Sequence, residues 1–391
     1  MSPRLWFVVE SGTDVRLVEG MAARWPLTVV ARRIVGGREI SQSTTARFDM
    51  QAGPPSFIRF GVHVAIRILM NRRRIDLVVL QGYGVAAVCG NIAARLAGIP
   101  MVMLVCSPTE AYYACRRADS SGRPFRRLEW AGLRLLAAVN ARVGRRYVVL
   151  SEYLASVVRA HGTSRAVDVV PIYGIDTTVF GQSAEPREQV RRRLGLPIDP
   201  ALIFFSSRIA PEKDPDTLLA AVARLRLAGR DVRILHRSGG HADFARRAAA
   251  HGLQHAVIVG PAIPPGPELA NYYRASDICV QASREEGLGF SPLEALACGV
   301  PVVAAAVGGL RETIVHGHTG WTYPAGDAGA LAGAIAQAMD DPNEARRRTE
   351  LGRALVERQY EREAVFARFE AVVRSIVPAA SPHDTRLAAS V

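Results

Sequence analysis

The sequence predicts an α/β protein built as two Rossmann-like, doubly wound parallel-sheet domains. Three observations predict it. Short apolar, β-branched runs alternate with helical stretches along the chain, as strands buried on both faces do. The alternation falls into two consecutive βαβ series. The chain has 391 residues, 49% of them hydrophobic and 22% charged. That is enough for two medium cores and excludes a wholly disordered or fibrous chain.

In the first series, Leu5–Val9, Leu77–Leu80, Pro100–Cys106, Tyr147–Leu150 and Val167–Pro171 read as strands. Phe57–Met70 and Val85–Ala97 read as helices between them. In the second, Leu202–Ser206, Val232–Leu235, Ala256–Val259, Ile278–Gln281 and Pro301–Ala305 read as strands. Asp216–Ala228 reads as a helix capped by Asp216 and stopped by Gly229. Phe180–Pro186, FGQSAEP, reads as the linker. The expected domains are therefore 1–180 and 181–360, followed by a helix over 361–376 that packs back on the first domain. The Ala/Ser/Pro-rich tail, 377–391, is expected to be disordered.

Lys+Arg is 49 and Asp+Glu is 36, a net charge of +13. A basic surface suits nucleic acid, anionic membrane or phosphorylated substrates and does not choose among them. Only one of the basic residues is a lysine, Lys213. Five cysteines without a C-x-x-C pair favour free thiols in a reducing, cytoplasmic setting. Leu5–Val9 is too short an apolar run for a signal peptide. Leu77–Ala94 approaches a bilayer span in length, but Gln81, Asn91 and three glycines favour a strand, a turn and a helix start. Residues 111–147 hold nine Arg against one Asp and one Glu, with Tyr112, Tyr113, Phe125 and Trp130 interleaved. Phe125, Leu128, Leu135 and Leu136 share one helical side there. The segment reads as a membrane-surface patch on the inner face of a membrane, an RNA-binding face or a solvated Arg-rich helix.

Chemistry concentrates in the second half. After the strand ending at Gln281 comes a loop with Gly287, Leu288 and Gly289, then Phe290 and Ser291 at the start of a helix. Glycines allow close backbone approach and a helix N-terminus offers N–H groups, so the pair makes a cradle for phosphate or hydroxyls. Glu286 and Glu294 flank it. Glu294 has a second reading, since Ser291…Glu294 with Pro292 has the form of a capping box. Ser206–Asp214 supplies Arg208 and Lys213 at the same sheet edge, a bidentate fork and a point charge for phosphate. Arg237-Ser238-Gly239-Gly240 is a third turn there.

Together these stretches resemble retaining glycosyltransferases of the GT-B fold, glycosyltransferase family 4, also called glycosyl transferases group 1. Glu286 to Glu294 looks like that family's E-x7-E signature. Ser207-Arg208…Glu212-Lys213 looks like its diphosphate-binding stretch, and Val170–Asp176 like its hinge-proximal segment. The similarity is clear over about 145–370. It implies that Arg208 and Lys213 neutralise the diphosphate, Glu294 binds the ribose, and Glu286 with the backbone of Gly287–Phe290 holds the donor sugar. It also implies transfer of a hexosyl unit from a UDP- or GDP-sugar to a glycan, glycolipid or lipid-linked hydroxyl, with retention and without an essential metal or other cofactor. The first domain becomes the acceptor side and the second the donor side. Where many relatives carry a histidine, this chain reads Cys106-Ser107-Pro108-Thr109-Glu110. Gly12, Ser107 and Glu110 are the acceptor-side candidates.

Two metal-like patterns have plainer readings. In Asp214-Pro215-Asp216, a D-x-D pattern, Asp216 reads as a cap, and His251-x3-His255 reads as a solvated helix face. Two rivals remain for function. A nucleotide-sugar epimerase of similar architecture would turn over donor without acceptor. A basic nucleic-acid-binding protein would need no intact Glu286 and would bind with steep salt dependence.

Overall fold

The computed structural model describes residues 2–33, 47–119 and 127–377. The expected tail lies outside these apart from Val377, as does Phe125 of the basic segment. The chain divides into two compact units. The first takes the described residues of Met1–Glu110, Arg126–Tyr173 and those from Val365 onward; the second takes those of Ala111–Phe125 and Gly174–Ala364. The division at Tyr173/Gly174 lies just before the linker expected from sequence.

In the first unit the elements run β1 (Leu5–Val9), α1 (Val15–Ala22), β2 (Leu27–Arg32), β3 (Asp49–Gly53), α2 (Phe57–Met70), β4 (Leu77–Gln81), α3 (Val85–Ala97) and β5 (Met101–Val105). After α4 (Thr109–Asp119), which belongs to the second unit from Ala111 onward, they continue with α5 (Arg127–Val143), β6 (Arg146–Val149), α6 (Glu152–Ala160) and β7 (Ala166–Val169). The 7-stranded sheet has the order β3-β2-β1-β4-β5-β6-β7, and every pairing is parallel. All residues of β1 and β5 are buried, as their unbroken apolar runs require.

The second unit holds α7 (Arg187–Arg193), β8 (Ala201–Phe204), α8 (Pro215–Leu227), β9 (Val232–Arg237), α9 (His241–Ala250), β10 (Val257–Gly260) and α10 (Pro267–Arg274). There follow β11 (Ile278–Gln281), α11 (Phe290–Ala297), β12 (Val302–Ala305), α12 (Leu310–Thr313), β13 (Trp321–Tyr323), α13 (Ala328–Asp340) and α14 (Pro342–Leu355). Its 6-stranded sheet has the order β10-β9-β8-β11-β12-β13, again all parallel. Phe205, Phe244, Ile234 and Trp321 are among the side chains that fill its core. The final helix, α15 (Arg362–Ile376), returns to the first unit, where Phe369 packs edge-on against Trp25 at 5.7 Å between centroids.

The structure corrects several sequence readings. Helix α8 starts at Pro215, and its cap is Asp214, whose carboxylate accepts from Thr217 N–H. Asp216 sits in the first turn and pairs with Arg247 at 2.6 Å. Helix α9 ends at Ala250, so His251 and His255 lie past it and do not share a helix face. Strands β2, β3 and β13 come in addition to those read from sequence. Segment 111–147 holds most of α4, all of α5 and the first two residues of β6, with undescribed residues between the two helices. No helix among the described residues is long and apolar enough to cross a membrane.

Candidate active site

Strand order reverses between β8 and β11 in the second unit. The strands pair at Ile203↔Ile278 and Phe204↔Cys279, so the loops leaving them start side by side. Such a switch point, at the carboxyl ends of parallel strands, is where open α/β sheets bind ligands. The loops are tied together. Arg284 N–H donates to the Glu212 carbonyl at 2.9 Å, and the Arg284 guanidinium pairs with Asp214 at 2.9 Å. Asp214 holds φ +45°, a left-handed conformation that Asp tolerates better than most residues. It directs Pro215 into the first position of α8.

Consecutive residues of a strand point to opposite sides, and Ser206 and Ser207, just past β8, use this. Ser206 Oγ lies 3.0 Å from the Tyr273 hydroxyl, which donates to Glu294 at 2.7 Å. Ser207 Oγ donates to Gln281 Oε1 at 3.1 Å, and Gln281 Nε2 donates to Glu286 at 3.1 Å. The two serines thus address the two glutamates separately. Both glutamates are buried, Glu286 7% and Glu294 3% exposed. A buried carboxylate must be hydrogen-bonded or paired. Glu286 meets that requirement with Lys213 Nζ, Gln281, Ser283 at 3.2 Å and the Tyr112 hydroxyl at 3.1 Å. The lone lysine of the chain therefore reaches the first glutamate of E-x7-E.

The capping-box reading of Glu294 is overturned. Helix α11 begins at Phe290, with Gly289 as its cap at φ +90°. Glu294 is then too far along the helix to reach back to the backbone of Ser291 as a third-position residue would, and it turns to Tyr273 instead. Gly289 is glycine for two reasons: φ +90° disfavours a side chain, and a Cβ would collide with Leu310. Gly287, Leu288, Phe290 and Ser291 follow the same turn into the helix, where N–H groups and positive potential gather.

Arg208 pairs with Glu212 and keeps half of its side chain exposed. Glu212 is fully buried. Burial pushes its carboxyl up, but hydrogen bonds from Arg116 and the charge of Arg208 overcome this and hold it down to about 2. Gly239 closes the third turn: its carbonyl accepts from Ile209 N–H at 2.8 Å, next to Arg208. Arg208, Lys213, Gly239 and the loop from Glu286 to Ser291 thus gather at one sheet edge. In the D-x-D pattern, Asp214 pairs with Arg284 and Asp216 with Arg247. No group of three or more His, Cys, Asp or Glu placed to hold a metal ion occurs among the described residues.

Sequence reasoning missed four members: Tyr112, Arg116, Tyr273 and Gln281. Tyr112 and Arg116 come from α4, in the segment read as a basic surface, yet they turn toward Glu286 and Glu212. Contact with Glu286 and burial push the Tyr112 phenol well above its ordinary range, burial having the larger effect.

The acceptor-side candidates lie in the first unit. Gly12 takes φ +97° in the loop after β1, and the Ser107 carbonyl accepts from Thr109 N–H at 3.0 Å. Glu110 meets His161 Nε2 at 2.9 Å. A histidine does reach this loop, from 51 residues further along the chain.

Residues 186–355 match the family described as glycosyl transferases group 1. Over 278 residues the chain is 32% identical to D-inositol 3-phosphate glycosyltransferase of Arthrobacter sp., covering 70% of this chain and 63% of that one. It is 37% identical over 181 residues to the protein of the same name from Thermobispora bispora, covering 44% and 42%. The matched stretch thus spans less than two thirds of either relative. Among solved structures, HepE of Anabaena, in complex with UDP and glucose, superposes with a TM-score of 0.78 at 18% identity, covering 95% of this chain and 100% of that one. Sucrose-phosphate synthase from Thermosynechococcus elongatus gives 0.77 at 21% identity, covering 96% and 100%. Both share the two-sheet GT-B fold found here.

Proposed function

From the premise that the chain belongs, through residues 186–355, to the glycosyl transferases group 1, we propose that it transfers a hexosyl unit from a nucleoside diphosphate sugar to a hydroxyl acceptor with retention of configuration. The observation that carries this is the meeting of Lys213 with Glu286 beside Arg208 and the start of α11. A donor sugar leaves by cleavage of its anomeric carbon–oxygen bond, which places negative charge on the departing diphosphate. Arg208, Lys213 and the N-terminal end of α11 are the groups that stabilise that charge, with no metal required in this reading. Glu286 takes sugar hydroxyls, and Tyr112, Gln281 and Ser283 fix its orientation. Glu294 takes the ribose hydroxyls while Tyr273 fixes its other side.

The donor is a UDP- or GDP-sugar. The acceptor is a glycan, glycolipid or lipid-linked hydroxyl. A second reading, a phosphorylated polyol acceptor, is favoured by the 32% identity to a protein named for inositol 3-phosphate. The test is product analysis by NMR after incubation with UDP- and GDP-hexoses and both acceptor classes. Acceptor-dependent release of nucleoside diphosphate with the donor's anomeric configuration kept in the product supports the proposal. An inverted product, or donor converted to an epimer without acceptor, contradicts it.

A further inference from the structure

The first unit carries a surface that this chemistry does not use. Helix α2 buries Phe60, Val64 and Ile68 on one side. On the other it turns Ile58, Val62, Ile66 and Met70 outward, 69%, 51%, 50% and 75% exposed. These positions are four apart and so form one stripe. Helix α3 packs beside α2 and adds Ile92 and Leu96, 48% and 74% exposed. Scattered exposed apolar residues need no explanation, but a continuous apolar face does.

The charge around the stripe has one sign. Arg59 lies on α2, Arg72–Arg74 follow it, and Arg95 lies on α3, all exposed. None of them pairs with a carboxylate among the described residues. No Asp or Glu occurs from Gln51 to Ile75 or from Val85 to Pro100. A second copy docking by the same face would set arginine against arginine with no acid to answer it. A layer of anionic headgroups over an apolar interior complements both features at once.

We propose that the outer face of α2 and α3 docks the protein on an anionic lipid surface. The apolar stripe enters the boundary between headgroups and acyl chains, and the arginines meet lipid phosphates. The sequence placed such a contact in 111–147. The structure turns Tyr112 and Arg116 of that segment inward, leaves its Leu128 and Leu135 on α5 exposed, and adds the α2 and α3 face as a further outward apolar surface. The inference stands on the first unit alone and is independent of the reaction.

The test is co-sedimentation of the full chain with vesicles of phosphatidylcholine alone and of phosphatidylcholine with phosphatidylglycerol, at low and high salt. Wild type is expected to pellet with the anionic vesicles and to come off partly as salt rises. The double variant Val62→Glu, Ile66→Glu changes two half-exposed positions and is expected to melt near wild type, yet to partition about tenfold less at either salt. The triple Arg72→Gln, Arg73→Gln, Arg74→Gln is expected to lose mainly the salt-sensitive part. Equal recovery of wild type from neutral and anionic vesicles overturns the proposal. So does equal recovery of wild type and the glutamate variant. Concentration-dependent self-association that the glutamate variant abolishes, with no vesicle binding, assigns the face to a second copy and also overturns it.

Discussion

Each sheet reverses its strand order once, between β1 and β4 in the first unit and between β8 and β11 in the second. The two crevices are furnished differently. In the first, the protein supplies its own anion. Glu10 is 5% exposed and accepts from Ala86 N–H at 3.3 Å at the start of α3. Gly84 leaves the room, since a Cβ there would overlap the Glu10 carboxylate. In the second crevice two cations, Arg208 and Lys213, stand beside the start of α11, and Arg208 stays half exposed. The same topology therefore gives one crevice whose helix end meets the protein's own carboxylate and one whose helix end stands beside two cations, which in the proposed function takes an anionic ligand. The residue types, not the fold, separate the two.

Four substitutions break or sharpen that contrast, from the largest expected effect to the smallest. Lys213→Ala removes the cation and leaves buried Glu286 without it. A lost charged hydrogen bond is worth about 1.5–3 kcal/mol, so kcat/KM should fall roughly 10- to 150-fold. Unchanged donor kinetics in that variant would remove Lys213 from the site. Glu294→Gln keeps an acceptor for Tyr273 but loses a carboxylate oxygen, and nucleoside diphosphate affinity should weaken about tenfold, or about 1.4 kcal/mol. Calorimetric titration with UDP and GDP reads this; affinity equal to wild type assigns Glu294 a packing role only. Tyr112→Phe deletes one hydrogen bond to Glu286, and turnover should drop by about 0.5–1.5 kcal/mol in barrier, with the melting temperature little changed. If Tyr112→Phe melts early and the residual enzyme is fully active, the tyrosine holds α4 and does not position Glu286.

The fourth change, Glu10→Gln, probes the first crevice. Burial raises the Glu10 carboxyl above the usual range, despite the N–H groups of Ala86 and Val85 and the charge of Arg32. An acid with a raised folded-state pKa favours folding when protonated. Its contribution is present below the unfolded pKa and is lost as pH rises through the folded value. Glu10→Gln should therefore flatten stability against pH just above the ordinary carboxylate range and leave turnover near wild type. A fall in nucleotide affinity with this variant would contradict the division of roles. Glu212 behaves in the opposite sense. Held down to about 2, its stabilising contribution is present above the unfolded value and is lost only as pH falls toward 2.

Apolar runs made the central strands legible, because a strand buried on both faces cannot hide its composition. The edge strands β7 and β10 were legible too, but the edges β3 and β13 were not, and neither was β2, an interior strand that is largely buried. β3 reads DMQAG and is mostly unburied, and β13 has three residues. The cap of α8 was misplaced although Pro215, fitted to a first helical position, marked Asp214 as the residue before it. At the site, the charged residues that form motifs were legible, and their supports were not. Tyr273 sits in a helix that reads as ordinary amphipathic sequence, Gln281 ends an apolar strand, and Tyr112 lies 174 residues from Glu286. Such partners are fixed by the meeting of distant segments, which no local spacing records.

The most direct measurement is isothermal titration of UDP and GDP into wild type, Lys213→Ala, Glu294→Gln and Glu10→Gln. The account predicts that at least one nucleoside diphosphate binds wild type and Glu10→Gln alike, and binds Lys213→Ala and Glu294→Gln about tenfold or more weakly. Binding that survives in both second-unit variants and fails in Glu10→Gln would contradict it, placing the nucleotide in the first crevice.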